Sequence, residues 1–249
     1  MRHPIVLLHP FPLDAGFWNP VAARLAAERA VHAPEFPGFG GAPAESNVSI
    51  ARVADAVATR IARQTTTGRA VVCGVSMGGY VALALAARHP MRVAGLILVA
   101  TRPDRDAEEV RRGRIEAATS IEMGMADTFL DEMIPRLAPA DATDTLALVR
   151  TMARRQDPTA IATALQAMAD RDDRRGQLGG MDMPALVIHG EDDVPIPVGA
   201  AESMAGALRD ARLVVMRRTG HLPPLQRPDE FLQHVRPLLS RVDDEWTAR

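Results

Sequence analysis

The stretch "VVCGVSMGGY" (residues 71–80) changes character within ten residues. Up to Val75, small and β-branched side chains read as a strand buried on both faces. From Met77, the alanine-rich run "MGGYVALALAARH" reads as a helix that Pro90 ends. Between them stands Ser76, with Gly74 and Gly78 two residues to either side. A side chain at either glycine crowds a sharp strand-to-helix turn, and such a turn lifts the serine hydroxyl above the sheet edge. It also sets the Met77 N–H at a helix N-terminus, aimed at any developing negative charge. The alternative is that these glycines only pack a helix against a strand.

The same rhythm continues on both sides. Apolar runs at 5–9, 30–34, 70–75, 93–100, 184–190 and 211–216 alternate with helical patterns near 18–28, 46–66, 77–89, 198–208 and 228–240. Asn19 is the expected cap of the first helix, with Pro20 at its first position. The strands are apolar throughout rather than alternating, as expected when helices cover both faces of a sheet. This predicts an α/β fold, a doubly wound, mostly parallel sheet of about six strands. Residues 102–180 break the rhythm: they are helical, rich in charge and methionine, and contain no strand run. They are expected to form a helical cap inserted into a core of residues 1–101 and 181–249, or else ordinary helical decoration. The tail "VDDEWTAR" is expected to fray.

Composition removes several classes. A chain of 249 residues with net charge −2 offers no basic field for nucleic acid. It has no lysine, which excludes a lysine nucleophile or Schiff base, and one cysteine, Cys73, which excludes an intrachain disulfide. A cysteine-based metal site or cluster is likewise not expected. The opening apolar run is too short for a signal peptide, and no apolar stretch is long enough to span a bilayer. A cytoplasmic protein with no membrane partner and no cofactor is expected.

A serine hydroxyl needs a base in hydrogen-bond reach to act as a nucleophile. "TGHLPP" offers His221 just after the last strand, beside Gly220. His9 and His189 also end strands and are expected to hold loops by hydrogen bonds. The base in turn needs a carboxylate to fix its tautomer. "HGEDDVP" presents Asp193 as first choice and Asp192 as second, although acids after a glycine also suit a plain solvated turn. A second oxyanion donor is expected from the loop "LLHPFPLD", where Phe11 keeps its N–H between Pro10 and Pro12. A cis Phe11–Pro12 bond is compatible with this loop.

The chain order Ser76, Asp193, His221, together with "LLHPFPLDAGFW", "FPGFG", "GVSMGG", "LVIHGEDD" and "TGHLPPLQRP", resembles the α/β-hydrolase superfamily from Pro4 to about Leu239. The opening segment and "GFWNPVAARLA" look most like the oxoadipate enol-lactonase and small carboxylesterase branch. The resemblance implies Ser76 as nucleophile, Asp193 as acid, His221 as base, and Phe11 and Met77 as oxyanion donors. It implies a small ester or lactone as substrate. The chain departs from the family's pattern at Pro10, where glycine is usual, and at Gln226, where glutamate is common. The N-terminal hairpin at the sheet edge is expected to be missing.

Serine at position 76, rather than aspartate, argues against dehalogenase or epoxide-hydrolase chemistry. Carboxylesterase, enol-lactonase, perhydrolase and carbon–carbon bond hydrolase readings share the triad, and a non-catalytic ligand-binding member remains the rival from another class. The expected pocket lining is Phe11, Leu13, Met77, Val194, Leu222, Met123, Met125, Phe129 and Met133, since methionines adapt to irregular apolar shapes. The cap methionines could equally fill the cap's own core. Arg111, Arg112 and Arg114 could meet an anionic substrate or form a solvated helix face.

Overall fold

The structure, a computed structural model, describes residues 2–247. Six strands, β1 (Ile5–Leu8), β2 (Val31–His32), β3 (Ala70–Val75), β4 (Val93–Val99), β5 (Ala185–Gly190) and β6 (Ala211–Met216), form one sheet in the order β2-β1-β3-β4-β5-β6. All pairings are parallel. β1, β3, β4 and β5 are buried along their full length, which explains their uninterrupted apolar sequence. The edge strands differ: β2 has only two half-buried residues, and β6 alternates between exposed and buried positions. Short or half-polar edges discourage further strand pairing.

Helices α1 (Asn19–Ala26) and α10 (Pro228–Thr247) pack against each other on one side, and α2 (Ile50–Gln64) packs against α3 (Met77–Arg88) on the other. α2 shows why: Ile50, Val53, Ala54, Val57, Ala58 and Ile61 are buried and recur every three or four residues, forming one stripe. It starts later than the pattern suggested, because Ser49 accepts a hydrogen bond from the Arg52 N–H and caps it. α1 begins at Asn19 itself, following a 3₁₀ turn over Ala15–Trp18, so its cap position falls on Trp18. The terminal segment expected to fray is helical as far as Thr247, and residues 248–249 lie outside the described residues. α10 continues to Thr247, held by Asp243, which accepts from the His3 N–H (2.8 Å) and pairs with Arg29 (3.0 Å).

Between β4 and β5 the chain makes four helices, α4 (Glu108–Glu122), α5 (Ala126–Met133), α6 (Thr143–Arg154) and α7 (Pro158–Ala169), with α4 packed along α7. The remaining helices are α8 (Val198–Ala207), against β5 and β6, and the single turn α9 (Pro223–Gln226). The chain order reverses direction at β1 and β3, which are neighbours in the sheet. In open α/β sheets the crevice beyond the carboxyl ends of such strands is where ligands bind.

Candidate active site

Ser76 occupies the turn between β3 and α3 with φ 52° and ψ −114°, a positive-φ conformation that costs a non-glycine residue on the order of 1–3 kcal/mol. Its surroundings offset that cost. The Ser76 N–H donates to the Val99 carbonyl (2.9 Å), and the Ser76 carbonyl accepts from Thr101 Oγ1 (3.0 Å) and from the Gly79 and Tyr80 N–H groups (2.8 and 3.1 Å). The crowding anticipated at the glycines is present. A Cβ on Gly74 would lie 2.1 Å from the Gly78 carbonyl oxygen, and one on Gly78 would lie 2.2 Å from the Leu8 carbonyl oxygen. The start of α3 is thus pressed against the end of β1, which brings the loop after β1 beside Ser76.

That loop carries Phe11, joined to Pro12 by a cis bond. Neither the Phe11 N–H nor the Met77 N–H finds an acceptor among the described residues. Behind the loop, buried His9 accepts at Nε2 from the Phe36 N–H (3.1 Å), so its proton sits on Nδ1 and is donated to the Pro10 carbonyl (3.2 Å). Its ring lies 4.2 Å from that of Phe36. Burial lowers its pKa to about 4, the Pro10 hydrogen bond opposing only in part, so His9 is neutral near pH 7. Five residues further on, buried Asp14 caps the 3₁₀ turn through the Gly16 N–H (2.9 Å). It also accepts from Arg155 Nε (2.8 Å) and Gln156 Nε2 (2.7 Å) of the helical insertion.

The loops after β5 and β6 bring an acid to a base. His221 Nδ1 lies 2.9 and 2.8 Å from the two carboxylate oxygens of Asp193. Asp193 also accepts from the Ile196 N–H (2.9 Å) and lies 3.1 Å from His189 Nε2, which donates to the Ile196 carbonyl (2.8 Å). Burial alone would raise the Asp193 pKa; the charge of His221 and the hydrogen bonds from His189 and His221 outweigh it and hold the carboxyl at about 2. An ionised Asp193 only accepts, so neutral His221 carries its proton on Nδ1 and leaves Nε2 as a base. Asp192, the second candidate, is exposed. His9 and His189 both hold loops, as expected of them from sequence.

Two supports of His221 lay outside sequence reasoning. Gln226 Oε1 accepts from the Gly220 and Leu222 N–H groups (3.0 and 3.3 Å), which flank the histidine. The glutamine oxygen does here what a carboxylate could do, so the departure from the family's pattern keeps the loop clamped. The His221 N–H donates to the Leu137 carbonyl of the insertion (3.0 Å).

Ser76 and His221 line a single cavity of about 440 Å³. Core residues Phe11, Tyr80 and Ile196 form part of its wall; the insertion supplies Phe129, Met133, Leu137, Leu165, Met168, Arg114 and Arg136. Of the expected lining, Phe11, Phe129 and Met133 are present and the others are not. Leu13 and Leu222 are fully buried in the hydrophobic core, and Met77 packs in a crevice with Phe36, Phe39 and Val48. Val194 (62% exposed), Met123 (72%) and Met125 (49%) face solvent. Met123 and Met125 flank Gly124, whose φ of 92° turns the chain between α4 and α5. Arg111 pairs with Asp170 and Arg112 with Glu116 on the outside, whereas Arg114 reaches the cavity. Among the described residues, no group of three or more His, Cys, Asp or Glu is placed to hold a metal ion, and no helix is long and apolar enough to cross a membrane.

The description of the alpha/beta hydrolase family matches residues 5–234, most of the chain, and the chain belongs to that family. Among curated proteins it is 34% identical over 244 residues to a pimeloyl-[acyl-carrier protein] methyl ester esterase of Aromatoleum aromaticum. That match covers 92% of this chain and 95% of the relative. It is 32% identical to the enzyme of the same name from Nitrosomonas europaea, with 92% of each chain covered. Among solved structures, a thermophilic esterase from Thermogutta terrifontis (malate bound) superposes with a TM-score of 0.93 at 33% identity, covering 96% of this chain and 90% of that one. The enol-lactonase from Burkholderia xenovorans LB400 superposes with a TM-score of 0.88 at 27% identity, covering 96% and 92%.

Proposed function

Starting from membership of the alpha/beta hydrolase family, we propose that this chain is a serine esterase that cleaves carboxylic esters through an acyl-enzyme. The observation that carries the reading is the buried Asp193–His221 pair opening onto the same cavity as Ser76. Ser76 Oγ attacks the ester carbonyl while His221 Nε2 takes its proton. Asp193 stays ionised and holds the imidazolium that forms. The oxyanion takes hydrogen bonds from the Met77 and Phe11 N–H groups; losing one such donor typically costs about 3 kcal/mol of transition-state stabilisation. His221 then protonates the departing alcohol oxygen. Water attacks the Ser76 ester with His221 again as base, and the second collapse releases the carboxylic acid and restores the serine.

The curated relatives act, by name, on a methyl ester, which favours an ester with a small alcohol portion. A lactone is the second reading, favoured by the likeness to the enol-lactonase; the same steps then open a ring instead of releasing an alcohol. The helical insertion serves as a cap over the site in either case. A fluorophosphonate probe tests the mechanism. Labelling at Ser76, lost in Ser76→Ala, is expected. A folded protein that hydrolyses no ester and leaves Ser76 unlabelled would identify a ligand-binding member instead.

A further inference from the structure

The charge inventory of the cavity is one-sided. Arg114 and Arg136 line it, and no acidic residue does. Arg114, on α4, donates from Nε to Asp106 (2.7 Å), but its Nη1 meets only the Met168 sulfur, at 3.8 Å, a weak acceptor. Asp106 is itself buried and shared: Arg171 Nη2 donates to its second oxygen at 2.8 Å. Burial alone would raise the Asp106 pKa, but the hydrogen bond from Arg171 and the nearby charges of Arg114 and Arg171 keep the carboxyl below its ordinary range. Asp106 is therefore ionised and faces two guanidiniums, which leaves one positive charge unmatched.

Arg171 is not the one left over. Its other donors reach the carbonyls of Asp104 (2.9 Å) and Met168 (2.8 Å), and its guanidinium lies 4.2 Å from the centre of the Tyr80 ring. The spare donors belong to Arg114. Arg136 has no ion pair and no side-chain hydrogen bond among the described residues, whereas Arg111, Arg154 and Arg155 of the same insertion each hold a carboxylate. Phe11, Phe129, Met133 and Leu165 make up an apolar stretch of the same cavity.

We infer that the substrate carries a carboxylate away from the scissile ester, joined to it by an apolar spacer, and that Arg114, with Arg136, binds that carboxylate. The inference rests on the esterase reading above and deepens it to a substrate class, the half-esters of dicarboxylic acids. A planar guanidinium whose terminal nitrogens meet no oxygen acceptor among the described residues, only the weak Met168 sulfur, matches a carboxylate, and Asp106 holds it in place beforehand.

The test compares the monomethyl ester of a medium-chain dicarboxylic acid with the methyl ester of the monocarboxylic acid of equal carbon number, on the full chain. The half-ester should be preferred in kcat/KM by about tenfold or more, chiefly through KM, because hydrogen bonds between charged partners are the strong ones. The preference should shrink as salt rises from about 0.05 to 0.5 M. Arg114→Gln should lower the ratio to about one or less. Arg136→Gln alters an exposed, unpaired side chain that the fold does not need, and should lower it severalfold. A wild-type ratio at or below one, with the neutral ester still turned over, overturns this inference and leaves the esterase standing. A preference that both variants retain also overturns it. Turnover of neither ester removes the esterase reading first.

Discussion

His9 offers a sharp test of how the site is held, because its chemistry can be separated from catalysis. The ring is buried and neutral, with its pKa lowered from 6.5 to about 4. Between those values the unfolded chain binds a proton that the folded chain refuses, so stability falls as the medium is acidified. The contribution is complete above about pH 6.5 and is lost progressively as pH drops to about 4. A shift of this size corresponds to roughly 3 kcal/mol. In His9→Gln the titration is gone, and losing the ring's partner to either the Phe36 N–H or the Pro10 carbonyl costs about 1–2 kcal/mol at any pH. Urea denaturation at about pH 7.5, 5.5 and 4.5 reads the outcome: the wild type should lose stability more steeply than the variant, by roughly 3 kcal/mol over the window. Other groups that titrate there, His3 among them, are common to both proteins and cancel. If the two stability curves run parallel from pH 6.5 to 4, the buried neutral ring is not what braces the Phe11 loop.

Asp193→Asn should lower ester turnover by up to roughly 10⁴ without unfolding the protein, and Asp192→Asn should leave turnover nearly unchanged. The reverse pattern, in steady-state kinetics on one ester, would refute the assignment of the acid. Gln226→Ala removes the acceptor shared by the Gly220 and Leu222 N–H groups. It should cost about 1–2 kcal/mol in thermal or urea denaturation and about 10- to 100-fold in kcat as His221 loses its position. Gln226→Glu, which retains both acceptor contacts, should recover most of the turnover; an alanine variant with normal kcat would show that the clamp is idle.

The fold was legible wherever burial is two-sided. β1, β3, β4 and β5 are covered on both faces, so their sequences are unbroken apolar runs and need no partner to be recognised. The start of α2 was harder, because Val48 is apolar and half-buried yet lies ahead of the Ser49 cap. The order of Ser76, Asp193 and His221 could be read because the turn chemistry around each is local. The cavity lining could not be read the same way. Met77, Val194 and Leu222 adjoin those three residues in sequence, but consecutive side chains in a turn point in different directions. Phe129 and Met133 are four apart on α5 and so share a face, the one that meets the cavity. Leu165 and Met168 on α7 have the same spacing logic, but α7 is apolar on nearly every side, and periodicity alone does not say which side is hollow.

The bond from the His221 amide to the Leu137 carbonyl has a mechanical meaning. On the proposed mechanism, it ties the proton carrier to the helical insertion as well as to the loop from the sheet. Lifting the insertion far enough to break that tie slackens the imidazole, so an ester caught in a half-open chamber meets a base that has lost one of its moorings. If the insertion must lift to admit an ester, as the proposed cap role implies, admission and reactivity would be geared to opposite positions of the same segment.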